Sequence, residues 1–139
     1  MKDRPPGWEA ALARAPVEAE CQTFAYGYHD CVTAACALAD AAMGCDLLGF
    51  VCQRWDERRA RVLLATFGGI TGWLHVVARM SWLVPVHPPA AHRGALVTVR
   101  TEDGELRAGC LLGADVAVVG PAGLRRIPRS YVESGWQDE

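Results

Sequence analysis

The stretch from Cys31 to Met43 constrains the fold more than any other. It is a run of Val, Thr, Ala, Cys and Leu broken by a single charge, Asp40. Asp30 is a good N-cap before it and Gly44 a good stop after it. A helix that is apolar nearly all round has no face to give to water, so it belongs at the centre of a domain. Other elements must then cover it. The 139 residues suit one domain, taken as 1–139. Hydrophobic residues at 51% and charged residues at 22% supply its core and exclude wholesale disorder.

The rest of the first half, about residues 1–84, also reads as helical. Pro5-Pro6-Gly7 precedes an Ala-rich helix over Trp8–Ala15, which Pro16 is expected to stop. Asp46–Trp55 fits neither helix nor strand decisively. Asp56 caps a helix over Glu57–Phe67, and Gly68-Gly69 ends it. Its Arg58, Arg59 and Arg61 read as a solvated basic face. Thr71–Met80 has Trp73, Val76, Val77 and Met80 at helical spacing. The pattern changes at Pro85. Short runs of β-formers follow over about 93–128: Ala95–Arg100, Leu106–Leu112, Val116–Val119 and Leu124–Ile127. Asp103-Gly104 signals a hairpin between the first two. The tail Ser130–Glu139 carries Tyr131, Val132 and Trp136 with which to pack back on the domain. Helices first and strands later predict an α+β fold, with N-terminal helices packed on one face of a small C-terminal antiparallel sheet.

Fourteen basic and sixteen acidic residues leave a net charge of −2, which gives no electrostatic case for a nucleic acid partner. The start, Met1 to Gly7, has no apolar core of a signal peptide, and no apolar run is long enough for a membrane span. Cytoplasmic synthesis is the expectation, with free thiols. The six cysteines are Cys21, Cys31, Cys36, Cys45, Cys52 and Cys110. None of their spacings is a metal knuckle, so neither a metal nor any other cofactor is expected. A metal or redox site would require at least two of Cys31, Cys36, Cys45 and Cys52 to converge.

The chemistry sits in Phe24-Ala25-Tyr26-Gly27-Tyr28-His29-Asp30-Cys31. It places Cys31 in the first turn of the apolar helix. A helix N-terminus carries partial positive charge and unpaired N–H groups, which favour a thiolate and an adjacent oxyanion. A thiol peptidase needs that arrangement, together with a base and a group to orient the base.

Tyr26-Gly27-x-x-Asp30-Cys31 resembles the nucleophile motif of the NlpC-type cell-wall cysteine peptidases, a papain-like group. The chain as a whole is similar to a phage-associated offshoot, small proteins encoded among tail genes. That likeness also takes in Gly44-Cys45-Asp46, Phe67-Gly68-Gly69, Arg93 to Val97, Gly109 to Gly113, Gly120 to Leu124 and Gly135-Trp136. The resemblance implies an NlpC-type fold, with Cys31 at the nucleophile position, Asp30 as its helix cap and Tyr26 as the motif's aromatic residue. It also puts Arg107 where the base His is expected, because the run Arg107 to Gly113 matches the family's His-x-Gly-x-x-x-Gly. An Arg stays protonated and cannot act as a base near neutral pH. Ala95 stands where active members have Asp, and Val116–Val119 holds nothing polar to orient a base.

Among the histidines, His29, His87 and His92 are the substitute bases to consider, and His75 reads as a core-edge residue. Two functions follow. One is a tail-tip or distal-tail virion component that keeps the scaffold, binds neighbouring tail proteins, and is a degenerate enzyme. The alternative is an active cysteine peptidase or amidase that opens peptidoglycan during phage entry.

Overall fold

The computed structural model describes residues 3–139; Met1 and Lys2, part of the stretch read for a leader, lie outside it. Five helices precede most of the sheet: α1 (Trp8–Glu20), α2 (Cys31–Met43), α3 (Leu47–Cys52), α4 (Glu57–Phe67) and α5 (Ile70–Met80). Six strands follow: β1 (Val84–Val86), β2 (Leu96–Arg100), β3 (Leu106–Leu111), β4 (Asp115–Gly120), β5 (Gly123–Pro128) and β6 (Val132–Gln137). They form one sheet in the order β1-β6-β2-β3-β4-β5, antiparallel at every pairing. The protein is therefore α+β.

α2 has the bounds its caps imply. Asp30 accepts from the Thr33 N–H, and Gly44 closes the helix in the left-handed region at φ 71°. Nine of its thirteen residues are buried, and the helix packs across β3 with β4 and β2 beside it. α1 and α3 cover its other sides. The central placement predicted from its composition is what the structure shows.

Three elements depart from expectation. Pro16 does not stop α1, which runs on to Glu20. Leu12, Pro16 and Ala19 are its buried residues, spaced to form one stripe, so packing against α2 outweighs the lost Pro16 hydrogen bond. In α5 the buried face is Trp73, Leu74, Val77 and Ala78, while Met80 is exposed. The β half extends beyond 93–128 on both sides. The tail forms β6 and inserts between β1 and β2, pairing Trp136 with Pro85 and with Leu96. Strand β6 carries Glu133, Ser134 and Gly135, so its sequence lacks the run of β-formers that marks β2–β5.

The sheet buries both faces. Leu96, Ala108, Cys110, Ala117 and Trp136 join the helices in the main core. Val97, Val99, Leu111, Val116, Val118 and Ile127 build a second core with Ala91 and Ala95 from the linker before β2. Arg129 holds that linker down, its guanidinium donating to the carbonyl oxygens of Pro88, Pro89, Ala91 and Gly113.

The two ends of the chain meet through Arg4. Its guanidinium donates to both oxygens of Asp138, at 2.9 and 3.0 Å, and to the Arg93 carbonyl at 2.6 Å. The Arg4 side chain is only 1% exposed, and its guanidinium lies 4.4 Å from the centre of the Trp8 ring. Truncating one member of a buried pair leaves the other desolvated and unmatched. Arg4→Ala is expected to lower the unfolding free energy by about 3 kcal/mol. Urea denaturation of the two proteins measures this.

Candidate functional site

The loop Phe24–Asp30 is shaped before it reaches the helix. Ala25 and His29 face each other in an isolated antiparallel bridge, closed by the Ala25 N–H to the His29 carbonyl and the reverse bond, at 3.0 and 2.7 Å. Gly27 turns the chain at φ 82°, and a Cβ there would lie 2.9 Å from the Trp55 carbonyl oxygen. Only glycine satisfies both the backbone angle and the close approach.

Asp30 is 2% exposed, and its carboxylate is fully engaged. Oδ2 accepts from the Gly27 N–H at 2.8 Å and from the Trp55 indole N–H at 2.9 Å. Oδ1 accepts from the Thr33 N–H at 2.9 Å, and Thr33 Oγ1 accepts from the Asp30 N–H at 2.9 Å. The last two bonds form a capping box. One side chain thus fixes the loop, the first turn of α2 and the segment before α4.

Cys31 follows on the rim of a cleft of about 520 Å³. Asp30, Tyr26 and Arg107 line the same cleft, as do Trp55 and Arg61. Four positions singled out in the sequence are therefore gathered in one place. Arg107 comes from β3, where Ala108 next to it supplies a backbone N–H to the Cys31 sulfur. Arg107 does not stand free. Nη2 pairs with Glu105 at 2.7 Å and lies 3.8 Å from Asp103.

Burial pushes the Cys31 thiol up to about 11. The Ala108 N–H opposes that rise, the Asp30 charge adds to it, and Arg107 opposes it more weakly. The helix N-terminus on its own favours a thiolate, but here desolvation wins. Around neutral pH the sulfur carries its proton.

No histidine lines this cleft. His29, considered as a base two residues before Cys31, is 6% exposed and lines a separate cavity bordered by α1 and α2. Cys31 and His29 thus line different cavities. His75 accepts from the Trp136 indole N–H at 3.1 Å. His87 borders a groove beside Trp136, and the His92 backbone N–H donates to Gln137. On β4, Val116 to Val119 are buried and apolar, leaving no group to orient an imidazole.

Sequence reasoning missed Trp55 and Thr33. Thr33 was available as a reciprocal cap three residues after Asp30. Trp55 carried no local signal, because its partner lies 25 positions away. No group of three or more His, Cys, Asp or Glu suited to a metal ion occurs among the described residues. Cys36 and Cys110 are buried and pushed well up by desolvation. Burial, then Asp40, push Cys45 up to about 12, and its Sγ donates to Asp40 Oδ1 at 3.2 Å.

Fold and cleft together define an α+β protein that presents a half-buried cysteine at the N-terminus of its central helix. The chain belongs to the family described as Domain of unknown function (DUF6950), whose model matches residues 3–137. No curated protein matches it, and no solved structure does.

Iodoacetamide is expected to label exposed Cys21 well before Cys31; peptide mapping of the alkylated protein reads the order. Cys31 and Cys45 keep their protons in the folded chain above the pH at which the unfolded chain loses them, near 9.0. Their contribution to stability is full below that pH and is lost as pH rises toward 11 to 12. Urea midpoints should therefore fall from about pH 9 upward. Asp30→Ala removes a helix cap and strands the Gly27 and Trp55 donors, at an expected cost of about 3 kcal/mol. The same denaturation assay measures it.

Proposed function

We propose that the protein is a phage tail component, at the tail tip or distal tail, built on an NlpC-type papain-like scaffold that has lost its catalysis. One observation carries the proposal: the cleft beside Cys31 holds Arg107 and no histidine. A cysteine peptidase needs a base within hydrogen-bond reach of its nucleophile. In this cleft the position that the resemblance assigns to that base belongs to a guanidinium tied to Glu105. The thiol is also raised to about 11 rather than lowered, opposite to what a nucleophile requires.

On this reading the chain is made in the host cytoplasm and travels in the virion, where its partners are neighbouring tail proteins. The scaffold supplies shape, and the cleft residues stay because they hold the fold. Asp30 and Gly27 do so through the contacts that fix α2 and Trp55.

Incubation with purified peptidoglycan is expected to release no new peptide termini, for the protein and for Cys31→Ala alike. Cleavage that disappears in Cys31→Ala would instead establish the peptidase or amidase activity. Arg107→His is expected to stay inactive too, since Val116–Val119 supplies nothing to orient the new ring. Protein mass spectrometry of purified virions should find the chain, and its absence from tails would end the structural reading.

A further inference from the structure

Away from the Cys31 cleft, one side-chain hydrogen bond joins the last helix to the last strand. The Trp136 indole N–H on β6 donates to His75 Nδ1 on α5 at 3.1 Å. The ring centres lie 6.2 Å apart, with the planes 51° from parallel. Trp136 is only 3% exposed, whereas His75 is on the surface. The strand it holds matters to the sheet. β6 lies between β1 and β2, and Trp136 pairs with Pro85 on one side and with Leu96 on the other.

The direction of the bond sets the protonation state that it needs. Nδ1 accepts only while it carries no proton, so the ring is neutral with its single proton on Nε2. A second proton goes to Nδ1 and leaves a donor facing a donor. Imidazole is the side chain that takes up such a proton between about pH 5 and 8. The exposed ring can then turn to water, but Trp136 cannot follow, because it is buried and paired with both neighbouring strands. Its N–H loses this acceptor, and an unmatched donor in a mostly buried place costs stability.

The groove beside the pair, about 440 Å³, is also bordered by His87, from the segment after β1, and by Glu133 of β6. Arg100 holds the Glu133 carboxylate, at 2.6 and 3.3 Å. Arg79 stands one turn further along α5, and Asp138, just beyond β6, is paired with Arg4. His29 lies elsewhere, in the cavity bordered by α1 and α2. A test therefore has to read Trp136 itself and not the stability of the whole chain.

We infer that the His75–Trp136 bond is a pH-sensitive clasp on the C-terminal strand. It is closed while the imidazole is neutral and opens when the ring takes its second proton. Its hold on β6 is present above the imidazole range and is lost as pH falls through that range. Mild acid thus loosens β6, and with it β1, whose neighbour in the sheet is β6. The clasp is independent of the reading of the Cys31 cleft.

Nuclear magnetic resonance of isotope-labelled protein reads the Trp136 indole proton directly. Its resonance is expected to move upfield as pH falls from about 8 to about 5, in step with the His75 ring protons. His75→Asn keeps an acceptor oxygen near the place of Nδ1 and does not titrate, so in that variant the resonance should stay where it is. Backbone amides of β6 should exchange about fivefold faster at about pH 5.5 than at about pH 7.5 once intrinsic rates are divided out, and in His75→Asn they should not.

A Trp136 resonance that stays fixed across that range in the parent protein would overturn the proposal. So would a titration that persists unchanged in His75→Asn, which would place the sensitive group at His87 or at the Arg4–Asp138 pair. Should the variant not fold, the parent protein still decides. There the Trp136 resonance has to follow the titration of the His75 ring, and one that follows His87 or His29 instead would end the inference.

Discussion

The structure turns on the carboxylate of Asp30. It is buried, and its two oxygens between them accept from donors in three different parts of the chain. The Gly27 N–H sets the loop, the Thr33 N–H sets the helix start, and the Trp55 indole N–H brings in the segment ahead of α4. Trp55 in turn stacks on Trp73 of α5, with ring centres 5.9 Å apart and planes 9° from parallel. A single acid thereby couples the central helix to the helices that frame one side of the cleft. Burying that charge is tolerable only because several donors meet it at once.

The same arrangement settles the character of Cys31. A helix N-terminus offers a thiolate some stabilisation, but burial desolvates the sulfur and the acid Asp30 lies immediately before it. Loss of solvation and the neighbouring charge both oppose ionisation, while the Ala108 N–H and Arg107 offset them only in part. Position in a helix therefore does not by itself make a cysteine reactive. What surrounds the sulfur decides.

Local signals in the sequence read well here, and long-range ones did not. The caps at Asp30, Asp56, Gly44 and Gly68 all lie where the residue types placed them, because capping depends on a few adjacent residues. The Asp103-Gly104 turn was legible for the same reason. Pro16 misled because a local penalty was set against a packing gain visible only once α1 lies on α2. Strand β6 was missed because its place comes from two neighbours, β1 and β2, and not from its own composition. In the cleft, Cys31, Asp30, Tyr26 and Arg107 were legible as a group. Trp55 was not, and neither was the placing of His29 in a separate cavity.

The two edges of the sheet differ in length but share a consequence. β1 has only three residues, and its middle one, Pro85, has no N–H to offer a further strand. β5 exposes Arg125 and Arg126 on the opposite margin. Another strand of the same kind would meet a missing donor on one side and, on the other, a margin of charged side chains in which Arg125 pairs with Glu102 and Arg126 with Glu20. The hydrogen-bonded ladder thus terminates within the molecule. Any larger array containing many copies has to be joined through side-chain faces, whose shape and charge can be matched to one neighbour and refused to others, rather than through backbone pairing, which accepts almost any extended segment.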